Sequence, residues 1–176
     1  METIGINTQK KKGGKMAVIK KGFLLLLSTI FCVAPFALAD PLKSTLEAYV
    51  VKKDSKGKEV FEKAQNAAPG EIVEYRLIYQ NTGKTVLSSL VVNGPVPNHT
   101  KYIGNSAKTE VSHDFLVSID HGNTWEKEPV KRVEEKNGKK KTIIIPPEKY
   151  TNVQWISNAP MDPSSIQEYI YRVKIN

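Results

Sequence analysis

After residue 40 the hydrophobic positions fall in short alternating runs, parted by turn residues. Leu46–Lys52 opens the series, and Asp54–Lys58 with Gly57 reads as a turn. Pro69-Gly70 is a strong turn dipeptide. From Ile72 to Gln80 the residues alternate, with Val73, Tyr75, Leu77 and Tyr79 on one face and Glu74, Arg76 and Gln80 mostly on the other. A period of two predicts a half-buried strand. Asn81-Thr82-Gly83-Lys84 turns the chain into a strand over Val86–Val92, which Asn93-Gly94-Pro95 is expected to close. Thr100–Ile103 and Phe115–Ile119 follow, the latter entering a turn at Asp120–Asn123. Val130–Glu134 and Thr142–Ile145 flank Asn137-Gly138, a hairpin signal because both residues tolerate positive φ. Val153–Ile156 and Tyr169–Ile175 complete the set. No helical run of useful length follows residue 40. Turns recurring about every 8–12 residues predict an all-β chain folded as an antiparallel sandwich.

The N-terminus follows another rule. Lys20 and Lys21 precede an uncharged apolar run from Gly22 to Ala34, and Ala37-Leu38-Ala39 places small residues where a signal peptidase accepts them. This order predicts a cleavable signal peptide, with cleavage between Ala39 and Asp40. The run stops at Pro35, short of the roughly 20 apolar residues a span needs, so no retained transmembrane helix is expected. Met16 heads a natural-looking signal, and either Met1 or Met16 serves as the start. The expected organisation is residues 1–39 as extension and signal, then a single domain over 40–176. Its destination is the periplasm or the medium. Cys32, the one cysteine, lies inside the apolar run behind Phe31, so lipidation is not expected. The domain over 40–176 then has no cysteine, and its stability must come from a core. Removing the six lysines and one glutamate of residues 1–39 lowers the formal net charge from +8 to +3. Much of the basicity therefore belongs to the leader.

Two segments carry a family likeness. Pro69-Gly70-Glu71-Ile72-Val73-Glu74-Tyr75, continued by Ile78-Tyr79-Gln80-Asn81-Thr82-Gly83, resembles the opening of the "conserved repeat domain" of bacterial surface proteins, also catalogued as domain of unknown function number eleven. Leu90–Pro97, followed by Thr100 to Ala107, resembles its continuation, and Gln167–Ile175 its closing strand. The resemblance covers roughly residues 44–176 in a single copy. It implies an immunoglobulin-like β-sandwich of the kind arrayed on cell surfaces. It lends no active site, because the matching residues belong to turns and core.

Candidate chemistry is sparse. Ser118, Asp120, Gly122, Thr124 and Trp125 fit an Asp-box, in which Asp accepts turn amides, Gly takes positive φ and Trp packs beneath. It is expected to be a structural hairpin turn. His99, His113 and His121 fit no ligand spacing, and a zinc site wants three or four converging ligands, so no metal and no cofactor is expected. The basic run Lys131–Lys141 contains Glu134 and Glu135 and no interleaved aromatics, which argues against nucleic acid. It reads as a solvated edge hairpin, with contact to an acidic polymer as the alternative. Tyr150–Trp155 is a first guess for an exposed contact strand. No nucleophile elbow is present. The expected function is a non-enzymatic structural or interaction module whose partner is another exported protein or the cell envelope, reached through a sheet edge. A carbohydrate-binding or cell-wall module is the runner-up, motivated by the surplus aromatics and the single Asp-box. A small hydrolase is a distant third.

Overall fold

A computed structural model describes residues 41–88 and 90–176. The signal segment, with Ala39, Asp40 and Cys32, lies outside the described residues. Among those described there are ten strands, β1 (Leu42–Lys53), β2 (Glu59–Lys63), β3 (Ile72–Asn81), β4 (Val91–Pro95), β5 (Thr100–Tyr102), β6 (His113–Ser118), β7 (Lys131–Lys136), β8 (Lys139–Ile144), β9 (Asn152–Ser157) and β10 (Ile166–Ile175). Among the described residues the only helical piece is a 3-10 turn at Pro147–Lys149.

Pairing between these strands is antiparallel. One sheet has the order β2-β1-β3-β10-β5 and another β4-β9-β6, while β7 and β8 pair only with each other. The two larger sheets pack face to face as a β-sandwich. Alternation decides what meets between them. Val73 and Leu77 of β3 and Tyr169, Tyr171 and Val173 of β10 face Val92, Val117, Val153 and Trp155 of the second sheet. The Trp155 ring lies 5.6 Å from that of Tyr169 and 6.1 Å from that of Tyr171, centroid to centroid, tilted against both. Such tilted contacts add to the burial term.

At the edge of the larger sheet β2 pairs with β1, and its side chains join a charged cluster with β3 and β10. Arg76 of β3 lies 4.8 Å from the ring centroids of both Tyr49 and Phe61. Beside it, Glu74, only 3 % exposed, accepts from Arg76 Nε at 2.8 Å and Arg172 Nε at 2.9 Å. Arg172 in turn grips Glu59 of β2 with both terminal nitrogens at 2.8 and 2.7 Å. A carboxylate this buried is tolerated because it is paired and hydrogen-bonded.

Several expectations need correction. β1 begins at Leu42 rather than Leu46, because its N-terminal half pairs with β3 as far as Asn81. β2 was not anticipated, since all five of its residues are exposed and its support comes from β1 and Arg76. The Val86–Val92 strand is displaced to Val91–Pro95, with Leu87 retaining only an isolated bridge to Met161. Asn93-Gly94-Pro95 is therefore strand, not turn. Gly94 serves close approach, for a Cβ there would stand 2.8 Å from Tyr171 Cε1 and 2.9 Å from Val153 Cγ2. Pro95 is tolerated because β4 is an edge strand, and its carbonyl accepts the Tyr171 hydroxyl at 2.6 Å. Gly94→Ala is expected to cost about 1–3 kcal/mol by overpacking. An unchanged urea midpoint would show that Tyr171 moves aside freely. Finally, Tyr150–Trp155 is no exposed contact strand. β9 is the central strand of its sheet, and Tyr150, Val153 and Trp155 are at most 2 % exposed.

Candidate contact site: the Asp-box turn and the β7–β8 hairpin

The Asp-box closes the end of β6. Asp120 accepts from the Thr124 amide at 2.9 Å, the Thr124 hydroxyl at 2.6 Å and the Ser118 hydroxyl at 2.7 Å. Ser118 Oγ accepts in turn from the Gly122 amide at 2.8 Å. His121 and Gly122 both take positive φ, 59° and 85°. A Cβ on Gly122 would stand 3.5 Å from Trp125 Cζ2, so the half-buried indole packs under the turn as the sequence pattern implies. All five predicted residues, Ser118, Asp120, Gly122, Thr124 and Trp125, are thus brought together, and their side-chain bonds knit the turn to itself.

Three hydrogen bonds to the charged form hold the Asp120 carboxyl at about 2, against an ordinary 3.8; those from Thr124 dominate. The folded value is depressed, so the stabilisation is fully present above about pH 4. It is lost as pH falls through about 2. Asp120→Asn is therefore expected to flatten the stability–pH curve between those values. Acid denaturation curves of the two proteins that remain parallel there would disprove the assignment.

The box also sets the course of the chain into β7. Val117 exchanges two backbone bonds with Glu126, 2.8 and 2.9 Å. The Glu126 carboxylate then receives Arg132 of β7 bidentately at 2.5 and 2.8 Å. Arg132 lowers the pKa of Glu126 through that contact. At the same foot Val130 is buried in the core and Ile145 donates to its carbonyl at 2.9 Å. Beyond this foot the hairpin leaves the body. Asn137 and Gly138 form its turn, with φ of 54° and 70°, as a two-residue hairpin loop requires.

The hairpin's surface is unusual in three respects. Val133 and Ile144 are 66 % and 61 % exposed and lie diagonally on one face, since Val133 opposes Thr142 and Ile144 opposes Lys131. Glu134 opposes Lys141 and Glu135 opposes Lys140, so both acids meet a base. Lys136 opposes Lys139, a like-charge pair that costs stability. An isolated two-stranded hairpin is marginal in water, and this one keeps two exposed aliphatics and an unneutralised tip. At its foot a groove of about 370 Å³ is lined by Asn105, Glu128, Pro129, Ile144, Ile145, Pro147 and Tyr150. Burial raises the Glu128 carboxyl there.

The three histidines are not brought together. His113 Nδ1 contacts the Val111 carbonyl at 2.7 Å, and His99 and His121 occupy left-handed turn positions. Among the described residues no three His, Cys, Asp or Glu side chains converge as a metal would need. Nor is any helix among them long and apolar enough to cross a membrane. The sequence signal for the arm was the Lys131–Lys141 run itself. What the run does not reveal is that its two strands pair with no third. No family model matches the sequence, and neither a curated protein nor a solved structure matches it.

Proposed function

We propose that this chain is an exported, non-enzymatic interaction module, periplasmic or secreted, whose contact element is the β7–β8 hairpin. One observation carries the reading. A two-stranded sheet with exposed Val133 and Ile144 stands apart from both sheets of the sandwich, anchored at its foot through Val130 and Arg132. A fold that merely needed to close its chain here would join Val130 to Ile145 directly, since they already form a bonded pair. The partner is another exported protein or an envelope component, not nucleic acid, and no cofactor is involved.

The sandwich is read as immunoglobulin-like with one exchange. Taking β1, β3, β4, β5, β6, β9 and β10 as strands A to G, the sheets run A-B-G-D and C-F-E. The constant-type domain runs A-B-E-D and C-F-G. Fifth and last strands thus trade sheets while the others keep their positions. Membership in the conserved repeat domain family belongs to the same proposal, resting on the motifs at 69–83 and 90–107. The carbohydrate alternative is less favoured, because Trp155, Tyr102, Tyr169 and Tyr171 lie within the core and the Asp-box side chains bond within their own turn.

A photo-crosslinking side chain placed at Val133, with Leu46 as an equally exposed control, tests the reading in the producing cells. An adduct from position 133 alone is expected. Adducts from both positions, or from neither, would overturn it. Excising residues 131–144 and joining Val130 to Ile145 through Asn-Gly should leave the sandwich folded. The melting temperature should fall by only a few degrees, since the one ion pair lost is exposed and worth about 0–1 kcal/mol. A much larger fall would assign the hairpin to the fold rather than to a partner.

A further inference from the structure

The backbone of the hairpin says more than its charges do. Ile145 N–H donates to Val130 O, which marks 130/145 as a hydrogen-bonded pair. In an antiparallel ladder such pairs alternate with non-bonded ones. With this register, Arg132/Ile143, Glu134/Lys141 and Lys136/Lys139 exchange the bonds inside the hairpin. The amides and carbonyls of Lys140, Thr142 and Ile144 on β8 therefore point outward, as do those of Lys131, Val133 and Glu135 on β7. Among the described residues no other backbone group bonds to either row.

The two edges are not equivalent. On β7 the outward Lys131 carbonyl accepts from Arg132 Nη1 at 2.8 Å, and the arginine that does this is tied to Glu126. The foot of β7 is thus capped by its own chain. Among the described residues nothing caps β8 in this way. Its outward row is complete over Lys140, Thr142 and Ile144. Its side chains read Lys139, Lys140, Lys141, Thr142, Ile143, Ile144, basic at the tip and apolar at the foot.

Resting on the reading of the hairpin as the contact element, we infer that β8 is a docking edge for an extended peptide segment of a partner protein. That segment carries apolar residues followed by acidic ones and adds to β8 as a third antiparallel strand. Three observations select this occupant. The unpaired row of N–H and C=O groups asks for a strand, because main-chain bonds are what an added strand supplies. Ile143, Ile144 and the diagonal neighbour Val133 ask for apolar side chains opposite the foot. The lysine triplet asks for carboxylates opposite the tip, where Glu134 and Glu135 already answer on the inner side. In an antiparallel segment the apolar end must come first in the chain and the acidic end second. A flexible acidic polymer would satisfy the lysines alone and leave the aliphatics and the amide row unused. The added strand also removes the condition that makes the hairpin marginal, by giving it a third strand.

The probe is a synthetic peptide, Val-Val-Thr-Glu-Glu-Glu, blocked at both ends and carrying a fluorophore, titrated against the full chain by anisotropy. Two changes separate backbone pairing from charge. In the peptide, alternate amides are N-methylated, which leaves every carboxylate in place. In the protein, Thr142→Pro removes the middle outward N–H while sparing the inner ladder and all lysines; proline is tolerated on an edge whose N–H faces solvent. Each change is expected to weaken binding at least about tenfold, the equivalent of one or two lost hydrogen bonds. Raising salt from about 0.05 to 0.3 M should weaken it further, through the lysines. Soluble polyglutamate should bind more weakly than the peptide and be indifferent to Thr142→Pro.

If polyglutamate binds as well as the peptide and neither change matters, the edge is only an electrostatic patch and the inference is overturned. Self-association of the chain that excludes the peptide overturns it in favour of a second copy. The excised chain separates the two levels. Peptide binding that survives excision defeats the contact-element reading along with this one. Binding that excision abolishes but Thr142→Pro leaves intact defeats strand addition alone.

Discussion

Trp155→Ala is expected to lower stability by about 3–5 kcal/mol, the range for truncating a large buried aromatic. The indole is fully buried at the centre of the second sheet. Its ring meets Phe115 at 5.5 Å on a neighbouring strand as well as Tyr169 and Tyr171 across the sandwich. Removing it strips apolar contact from both sheets at once and leaves a cavity that rigid strands cannot close. Native stability is about 5–15 kcal/mol in all, so the variant stands near the folding threshold. Trp155→Phe is the informative companion. The indole Nε1 is buried with no hydrogen-bond partner among the described residues, so phenylalanine removes an orphaned donor along with some volume. Its loss should be well under half that of alanine. Denaturant midpoints measure both. Similar losses for Phe and Ala would mean that the N–H is satisfied after all, or that the site collapses around either replacement.

Asn81→Leu is expected to cost about 2–4 kcal/mol although the replacement is nearly isosteric, because each buried group it abandons carries its own desolvation penalty. Asn81 is fully buried at the end of β3. Its Nδ2 donates to the Thr85 carbonyl at 2.8 Å and the Met161 carbonyl at 2.9 Å, and its Oδ1 accepts the Gly83 amide at 3.0 Å. Its backbone is also committed, to Ser165 O and from Ser164 N. One side chain thus ties the 82–85 turn to the segment leading into β10. Gly83 must stay small beside it, for a Cβ there would lie 2.7 Å from Pro41 Cβ. Hydrogen exchange at Gly83 and Ser164 should accelerate in the variant before the core strands are affected. Uniform acceleration everywhere would show that Asn81 supports global rather than local stability.

The same residue shows how far the sequence could be read. Asn81-Thr82-Gly83 announces a turn through local chemistry, and a turn is there. That its asparagine also holds Met161, eighty positions later, is written in no local pattern. The Asp-box and Asn137-Gly138 were legible for the same reason: their bonds and φ values close within four or five residues. β2 was not legible, because Phe61 and Glu59 are stabilised by Arg76 and Arg172 from distant strands. Asn93-Gly94-Pro95 misled, because a glycine chosen for the approach of Tyr171 looks like a glycine chosen for a turn. Tyr150–Trp155 was expected to be an exposed contact strand. Gln154 instead donates to Asn93 Oδ1 at 2.8 Å, and β9 runs through the middle of its sheet. For the candidate site, the basic composition of residues 131–141 was visible, but the free edge of β8 was not.

By itself, then, the sequence determined the strand period, the tight turns, the absence of a disulfide framework after Cys32, and the basic character of the arm. The missing disulfides follow from the cysteine count, and the rest arises from forces acting over a few residues: alternation of side chains, positive φ and charge. The tertiary structure alone decided which strands pair, which polar groups lie buried beside their partners, and which hairpin is left with an unpaired edge. Those outcomes depend on contacts between segments tens of residues apart, and local alternation carries no record of which segments will meet.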